Sequence, residues 1–110
     1  MKSQRFSGLP KKAKEAHIFI VRRVVGRSMY PKLSPGQILL ASPLFKRLRP
    51  GQVVIVNHHG KEKVKRIERI EKGHIFVVGD NLLASTDSRH FGWLRQADVV
   101  ARVYWPKLTK

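Results

Sequence analysis

A mainly β fold is predicted for this 110-residue chain by three features. Apolar residues fall in short runs or alternations, Val, Ile and Phe recur in them, and Gly- and Pro-bearing turns divide them. The length allows one small domain with a single core, so any active site must be built on that core. A polar, basic, flexible leader is expected over residues 1–16, carrying Lys2, Arg5, Lys11, Lys12 and Lys14, with the domain over residues 17–110. Candidate strands are residues 17–25, 37–41, 52–57, 61–70, 74–78 and 97–104. Reversals are expected at Ser34-Pro35-Gly36, Arg49-Pro50-Gly51, His59-Gly60 and Lys72-Gly73, whose residue types suit tight turns. The stretch 61–70 is the least regular, because Lys61, Glu62 and Lys63 lead into it. If extended, it places Val64, Arg66, Glu68 and Ile70 on one face and Lys63, Lys65, Ile67 and Arg69 on the other. Lys65 then shares a face with Ile67, which helps to desolvate its amine.

Twenty-three Lys and Arg against seven Asp and Glu give a formal net charge of +16, a field that attracts nucleic acid, anionic lipid or acidic protein. The basic residues are spread along the whole chain, without the basic helix or aromatic-interleaved stripe of a dedicated nucleic-acid module. Nucleic acid is therefore not the main partner expected. With no cysteine, disulfides, thiolate metal sites and cysteine nucleophiles are excluded. The longest apolar stretches, such as 17–25, are interrupted by Arg22 and Arg23 and fall far short of the roughly 20 residues a spanning helix needs. No apolar core of a cleavable export signal comes after the basic start. No membrane span and a cytoplasmic location are the resulting expectations.

Three separated segments carry the chemistry: Ser28 inside GRSMYPKLSPGQ, Lys65 inside KVKRIERI, and GDNLLASTDSRHFG from Gly79 to Gly92. Ser28 comes after a strand-like run and Gly26, and precedes Met29, Tyr30 and Pro31, so it sits where a strand gives way to a turn. Pro31 restricts Tyr30 to extended conformations. A lone serine in such a place is most often a turn residue or helix cap, and a strand lysine most often a solvated one. Together they suggest more. A serine hydroxyl is a poor nucleophile until a base takes its proton, and a lysine amine can be that base when burial lowers its pKa. His17, His58, His59, His74 and His90 show no ligand spacing such as His-Glu-x-x-His, so neither a metal nor any other cofactor is expected.

On these residues the chain resembles, from Val24 to Pro106, the Ser/Lys peptidases that include type I signal peptidases and LexA-type self-cleaving repressors. The resemblance implies a signal peptidase/LexA-like catalytic core of short strands and serine endopeptidase activity. It implies Ser28, within Ser28-Met29-Tyr30-Pro31, as nucleophile and Lys65, within Lys65-Arg66, as general base. Gly79-Asp80-Asn81 with Ser85, Asp87, Ser88, Arg89 and Gly92 after it resembles the signature that braces such a site, with Ser85 orienting the amine. Asp87 and Arg89 read as a charge pair that pins the loop. Asp80 and Asn81 read as loop hydrogen-bonders that hold Ser85 and Lys65 in place. The Ser28 backbone N–H is the natural oxyanion donor. Some signal peptidases place a hydroxyl two residues before the nucleophile; this chain has Gly26 there, leaving the second donor unassigned.

Departures narrow the resemblance. The chain shows no membrane anchor and no Gly-x-Pro-Gly-Asp after Lys65-Arg66, and the fourteen positions from Lys65 to Gly79 leave no room for a cap domain. A minimal core with GDN, ASTDSR, FG and Tyr104-Trp105-Pro106 most resembles the nickel-type superoxide dismutase maturation proteases, although Leu82 and Trp93 stand where that group commonly has proline. The implied partner is a protein precursor whose N-terminal pro-segment or leader is removed, a nickel-type dismutase foremost. One alternative is signal peptidase I-like processing of secretory leaders, soluble or held at an anionic membrane surface by the positive charge. Another is a noncatalytic basic binding domain. A self-cleaving repressor fragment is disfavoured, since no helix-turn-helix and no Ala-Gly cleavage loop accompany the core.

Overall fold

A computed structural model describes residues 18–109, so the expected leader and His17 lie outside the described residues. The fold is mainly β. Its strands are β1 (Ile20–Arg23), β2 (Ile38–Ser42), β3 (Val53–His58), β4 (Lys61–Glu71), β5 (His74–Val78), β6 (Leu94–Arg95) and β7 (Val99–Trp105). They form one antiparallel sheet in the order β1-β2-β7-β3-β4-β5-β6. Among the described residues helical structure is confined to α1 (Ser88–Phe91) and two 3-10 turns, Leu82–Ala84 and Gln96–Asp98. Among the described residues no helix is long and apolar enough to cross a membrane.

Local turn chemistry sets the central register. His59 and Gly60 have φ of 52° and 79°, and Lys72 and Gly73 have 48° and 81°. Two consecutive left-handed residues match the twist of the flanking strands, so each pair closes a tight hairpin. The pairings His58↔Lys61 and Glu71↔His74 result. β3 lies centrally and feeds both cores. Val53 and Ile55 pack with Val24, Met29, Leu33 and Leu39, while Val54 and Val56 pack with Ile67, Ile75 and Val77. That division is the period-two alternation of a strand covered on both faces.

The structure corrects the strict alternation expected for residues 61–70. A register shift between Ile67 and Arg69 lets Ile67 and Ile70 contribute to the same cluster, although three positions apart. A bulge adds one residue to one strand and reverses the facing of the residues beyond it. Val64, before the bulge, packs with the first cluster. Two further differences are boundaries. β1 ends at Arg23, although Val24 still donates to Gln37 O at 2.8 Å. β7 starts at Val99, because Asp98 bonds back to the Arg95 N–H at 3.0 Å and closes the turn before it. β6 and α1, of two and four residues, are too short to produce a periodic signal in the sequence.

Arg66 ties this sheet to its loops. Its side chain is 1% exposed; Nε and Nη2 each donate to the Asp80 carboxylate at 2.8 Å, and Nη1 donates to Gly51 O and Leu108 O at 2.7 Å. Removing one partner of a largely buried ion pair leaves the other charge poorly compensated. Arg66→Met is therefore expected to lower unfolding free energy in urea by about 3–5 kcal/mol. The exposed control Arg47→Met should stay within about 0.5 kcal/mol of the parent.

Candidate active site

Ser28 is presented by a turn that the first core holds from beneath. The chain leaves β1, reverses direction at Gly26 with φ of 80°, and buries Met29 and Leu33 on either side of the exposed Tyr30. Tyr30 N donates to Arg27 O, and Leu33 N to Met29 O, both at 3.0 Å. Ser28 itself is half-buried. The Gly79-Asp80-Asn81 segment then clasps this turn. Asn81 N donates to Ser28 O at 2.8 Å, Asn81 Nδ2 to Arg27 O at 3.0 Å, and Asp80 N approaches Met29 Sδ at 3.4 Å. Gly79 is required by space: a Cβ there would lie 2.3 Å from Ser85 Oγ and 2.6 Å from Ser28 O.

Lys65 stands on β4 opposite Val54, and only 4% of it is exposed. Its Nζ donates to Ser85 Oγ at 3.0 Å, and the Ser85 hydroxyl donates to Asp87 Oδ2 at 2.5 Å. Asp87 has no exposed surface. Its carboxylate also accepts from Gly79 N at 2.8 Å, Arg89 Nε at 2.9 Å and Arg89 N at 3.2 Å, the last capping α1. Arg89 Nη2 reaches on to Leu82 O at 2.8 Å.

These contacts set the protonation states. Burial lowers the Lys65 pKa from 10.5 to about 8; nearby Asp87 opposes the fall, while Lys63 and Arg89 add to it. Burial pushes Asp87 upward, but hydrogen bonds from Arg89, Ser85 and the Gly79 N–H outweigh it and hold the carboxyl far below the usual range. The result is a fixed anion next to an amine that loses its proton near pH 8.

Ser28 and Lys65 line one cleft of about 390 Å³, together with Ile55, Val64, Ala84 and Thr86. Ser85, Asp87 and Arg89 lie behind it in the bonded chain just described. Asp80 differs from its expected part, since its carboxylate serves Arg66 rather than Ser85 or Lys65. Asn81 bonds the Ser28 turn, not Lys65. His58, His59, His74 and His90 line no part of the cleft; His58 instead stacks on Phe91 with centroids 4.0 Å apart. Among the described residues no three His, Asp or Glu side chains converge as metal ligands. Sequence reasoning missed the closeness that Gly79 must permit, and the cations Arg27 and Lys63 at the cleft. The only available signal was their nearness in sequence to Ser28 and Lys65.

Comparison with known proteins adds an independent line. The family model described as "Signal peptidase, peptidase S26" matches residues 58–107. The chain is similar to signal peptidase I of Bacillus caldolyticus, 48% identical over 41% of this chain and 26% of that protein. It is also similar to the mitochondrial ATP-independent inner membrane protease subunit 1a of Arabidopsis thaliana, 35% identical over 71% of this chain and 64% of that protein. Signal peptidase I V of Bacillus subtilis (strain 168) is 28% identical over 76% of this chain and 55% of that protein. The chain thus spans less than two thirds of the length of each of these curated relatives.

Two outcomes test the geometry without any assay of activity. Between about pH 8 and 10.5 the unfolded chain holds the Lys65 proton and the folded one does not, so this group's penalty on folding is full below that window and fades as pH rises through it. Lys65→Met should accordingly stabilise the protein at pH 7 by on the order of 1–3 kcal/mol, with the gain shrinking above pH 9 in urea titrations. Gly79→Ala should cost about 1–3 kcal/mol by overpacking against Ser85 and the Ser28 carbonyl, measured in the same way.

Proposed function

Family model and curated relatives alike support the signal peptidase family, peptidase S26, for this chain, and from that premise we propose that it is a serine endopeptidase working through a Ser28/Lys65 dyad. The observation that carries the reading is the Lys65 amine: 4% exposed, hydrogen-bonded to Ser85, with a pKa near 8, in the same cleft as Ser28. Residues 17–110 are the catalytic domain of this proposal.

In the proposed mechanism Ser28 Oγ attacks a peptide carbonyl carbon while its proton passes to neutral Lys65 Nζ. Ser85 engages one face of the amine and leaves its lone pair for Ser28. The ammonium formed is stabilised by Asp87 through Ser85 and gives its proton to the departing amine, leaving a Ser28 ester. The reformed amine then takes a proton from water, whose oxygen attacks the ester carbonyl; the bond to Ser28 Oγ breaks, the acid is released and Lys65 returns the proton to Ser28 Oγ. The Ser28 backbone N–H is the donor proposed for the developing oxyanion. Asp87 and Arg89 are positioning residues that hold Ser85 and the loop in place.

The substrate reading has two lines of support. The GDN and ASTDSR pattern, with the short span between Lys65 and Gly79, favours removal of an N-terminal pro-segment from a nickel-type dismutase precursor in the cytoplasm. The named relatives favour a second reading, processing of secretory leaders at a membrane surface. Exposed Val25 at the cleft, and exposed Leu82 and Leu83 in the loop before Ala84, which also lines it, suit that surface on a chain of net charge +16.

Incubation with a dismutase precursor and with leader peptides, read by mass spectrometry, separates the readings. Removal of the dismutase pro-segment alone is expected for the first, and cleavage of leaders alone is the outcome for the second. Ser28→Ala should abolish cleavage while leaving urea stability within about 0.5 kcal/mol; product from neither substrate leaves a noncatalytic basic domain. Because the base must be neutral, kcat/KM should rise with pH and reach half its plateau near pH 8. A flat profile from pH 6 to 10 would contradict a lysine base.

A further inference from the structure

The cleft that holds Ser28 and Lys65 is strongly cationic at its rim. Apart from the buried Lys65, four of its thirteen described lining residues are Lys or Arg (Arg22, Arg23, Arg27 and Lys63), against 23 Lys and Arg in all 110, so the cleft is enriched beyond the chain's general basicity. The one carboxylate among its described lining residues, Glu62, is taken by Arg22, whose Nε and Nη2 donate to it at 2.7 and 3.2 Å. Arg23, Arg27 and Lys63 remain, and among the described residues none is paired with a carboxylate.

Each of the three is held in place by a contact that leaves its charge uncompensated. Arg23 Nη1 donates to Gly36 O at 2.7 Å, the Arg27 guanidinium lies 5.1 Å from the Tyr30 ring centroid, and Lys63 Nζ lies 5.0 Å from that of Phe91. Arg27 directly precedes Ser28, and Lys63 stands two positions before Lys65 on β4, so each member of the reacting pair has a cation near it in the chain that lines the same cleft.

We propose that this cleft selects peptides carrying Asp or Glu within a few residues of the scissile bond, with Arg27 and Lys63 as the specificity-determining residues. The inference rests on the peptidase reading for its reaction, but its electrostatic content concerns binding and can be read separately. Complementary charge at a partly exposed rim sharpens selection and weakens as salt screens it.

The test uses three synthetic peptides identical except for Glu, Gln or Lys two residues from a cleavable bond, in a series that moves this position along the peptide. At best placement the expected kcat/KM is about fivefold higher for Glu than for Gln and lower again for Lys, with the ratio contracting between ~20 and ~200 mM salt. Arg27→Gln with Lys63→Gln should bring the Glu-to-Gln ratio close to one, and Glu62→Gln, which frees Arg22, should enlarge it. The same peptides titrated against Ser28→Ala by calorimetry give a readout independent of turnover. Preferential binding of the Glu peptide without cleavage by the parent would support the cleft's selectivity and remove the peptidase reading. Equal handling of Glu and Gln peptides at every position would overturn the inference.

Discussion

The buried carboxylate of Asp87 is the constraint on which the candidate site depends. An ionised group without solvent is tolerated only when its lone pairs are filled, and here each filling group comes from a different part of the loop. Gly79 supplies an N–H at the end of β5, Ser85 a hydroxyl, and Arg89 both a guanidinium and the first turn of α1. Satisfying one anion therefore folds the segment from 79 to 92 into a single shape. That shape puts Ser85 Oγ within reach of the Lys65 amine, so the geometry of the amine is inherited from the needs of the acid.

Beside it runs a second buried ion pair with the opposite facing. Lys65 and Arg66 are neighbours on β4, and alternation sends them to opposite sides of the sheet. Gly79 and Asp80 are likewise adjacent; Gly79 serves Asp87 and Asp80 serves Arg66. Two dipeptides thus bridge both faces. Arg66 further gathers the turn at Gly51 and the terminal segment at Leu108, so the loop that braces Lys65 is itself braced from the far side.

The electrostatics of Lys65 reflect a contest among burial, one anion and several cations. Burial favours the neutral amine, and Lys63 and Arg89 add to it, whereas Asp87 alone pulls the other way. With Ser85 interposed, Asp87 orients the amine without touching it. A direct carboxylate contact would favour the charged form more strongly and leave less of the amine neutral near pH 8. The positive surroundings that make the chain so basic therefore also help keep this one amine available, and they give the cleft its sign.

Much of the fold was legible in the order of residues because its determinants are local. His59-Gly60 and Lys72-Gly73 dictate tight reversals whatever surrounds them, and VVIV between two turns reads directly as a strand buried on both faces. Ser28, Lys65 and Ser85 could be singled out as residue types from their motifs, and the fold brings Lys65 to Ser85 and places Lys65 in a cleft with Ser28. The bulge in β4 was not legible, because a register shift is decided by the partner strand rather than by the shifted residues. Nor was the attachment of Asp80 to Arg66, since chain order gives no distance between a loop and a strand fourteen positions apart. Sequence alone determined the short strands, their reversals and the inventory of reactive groups, for these come from backbone preference and side-chain chemistry. Tertiary structure decided which groups are dry, which are paired and how closely Gly79 must approach, because desolvation and contact exist only once distant segments share one volume.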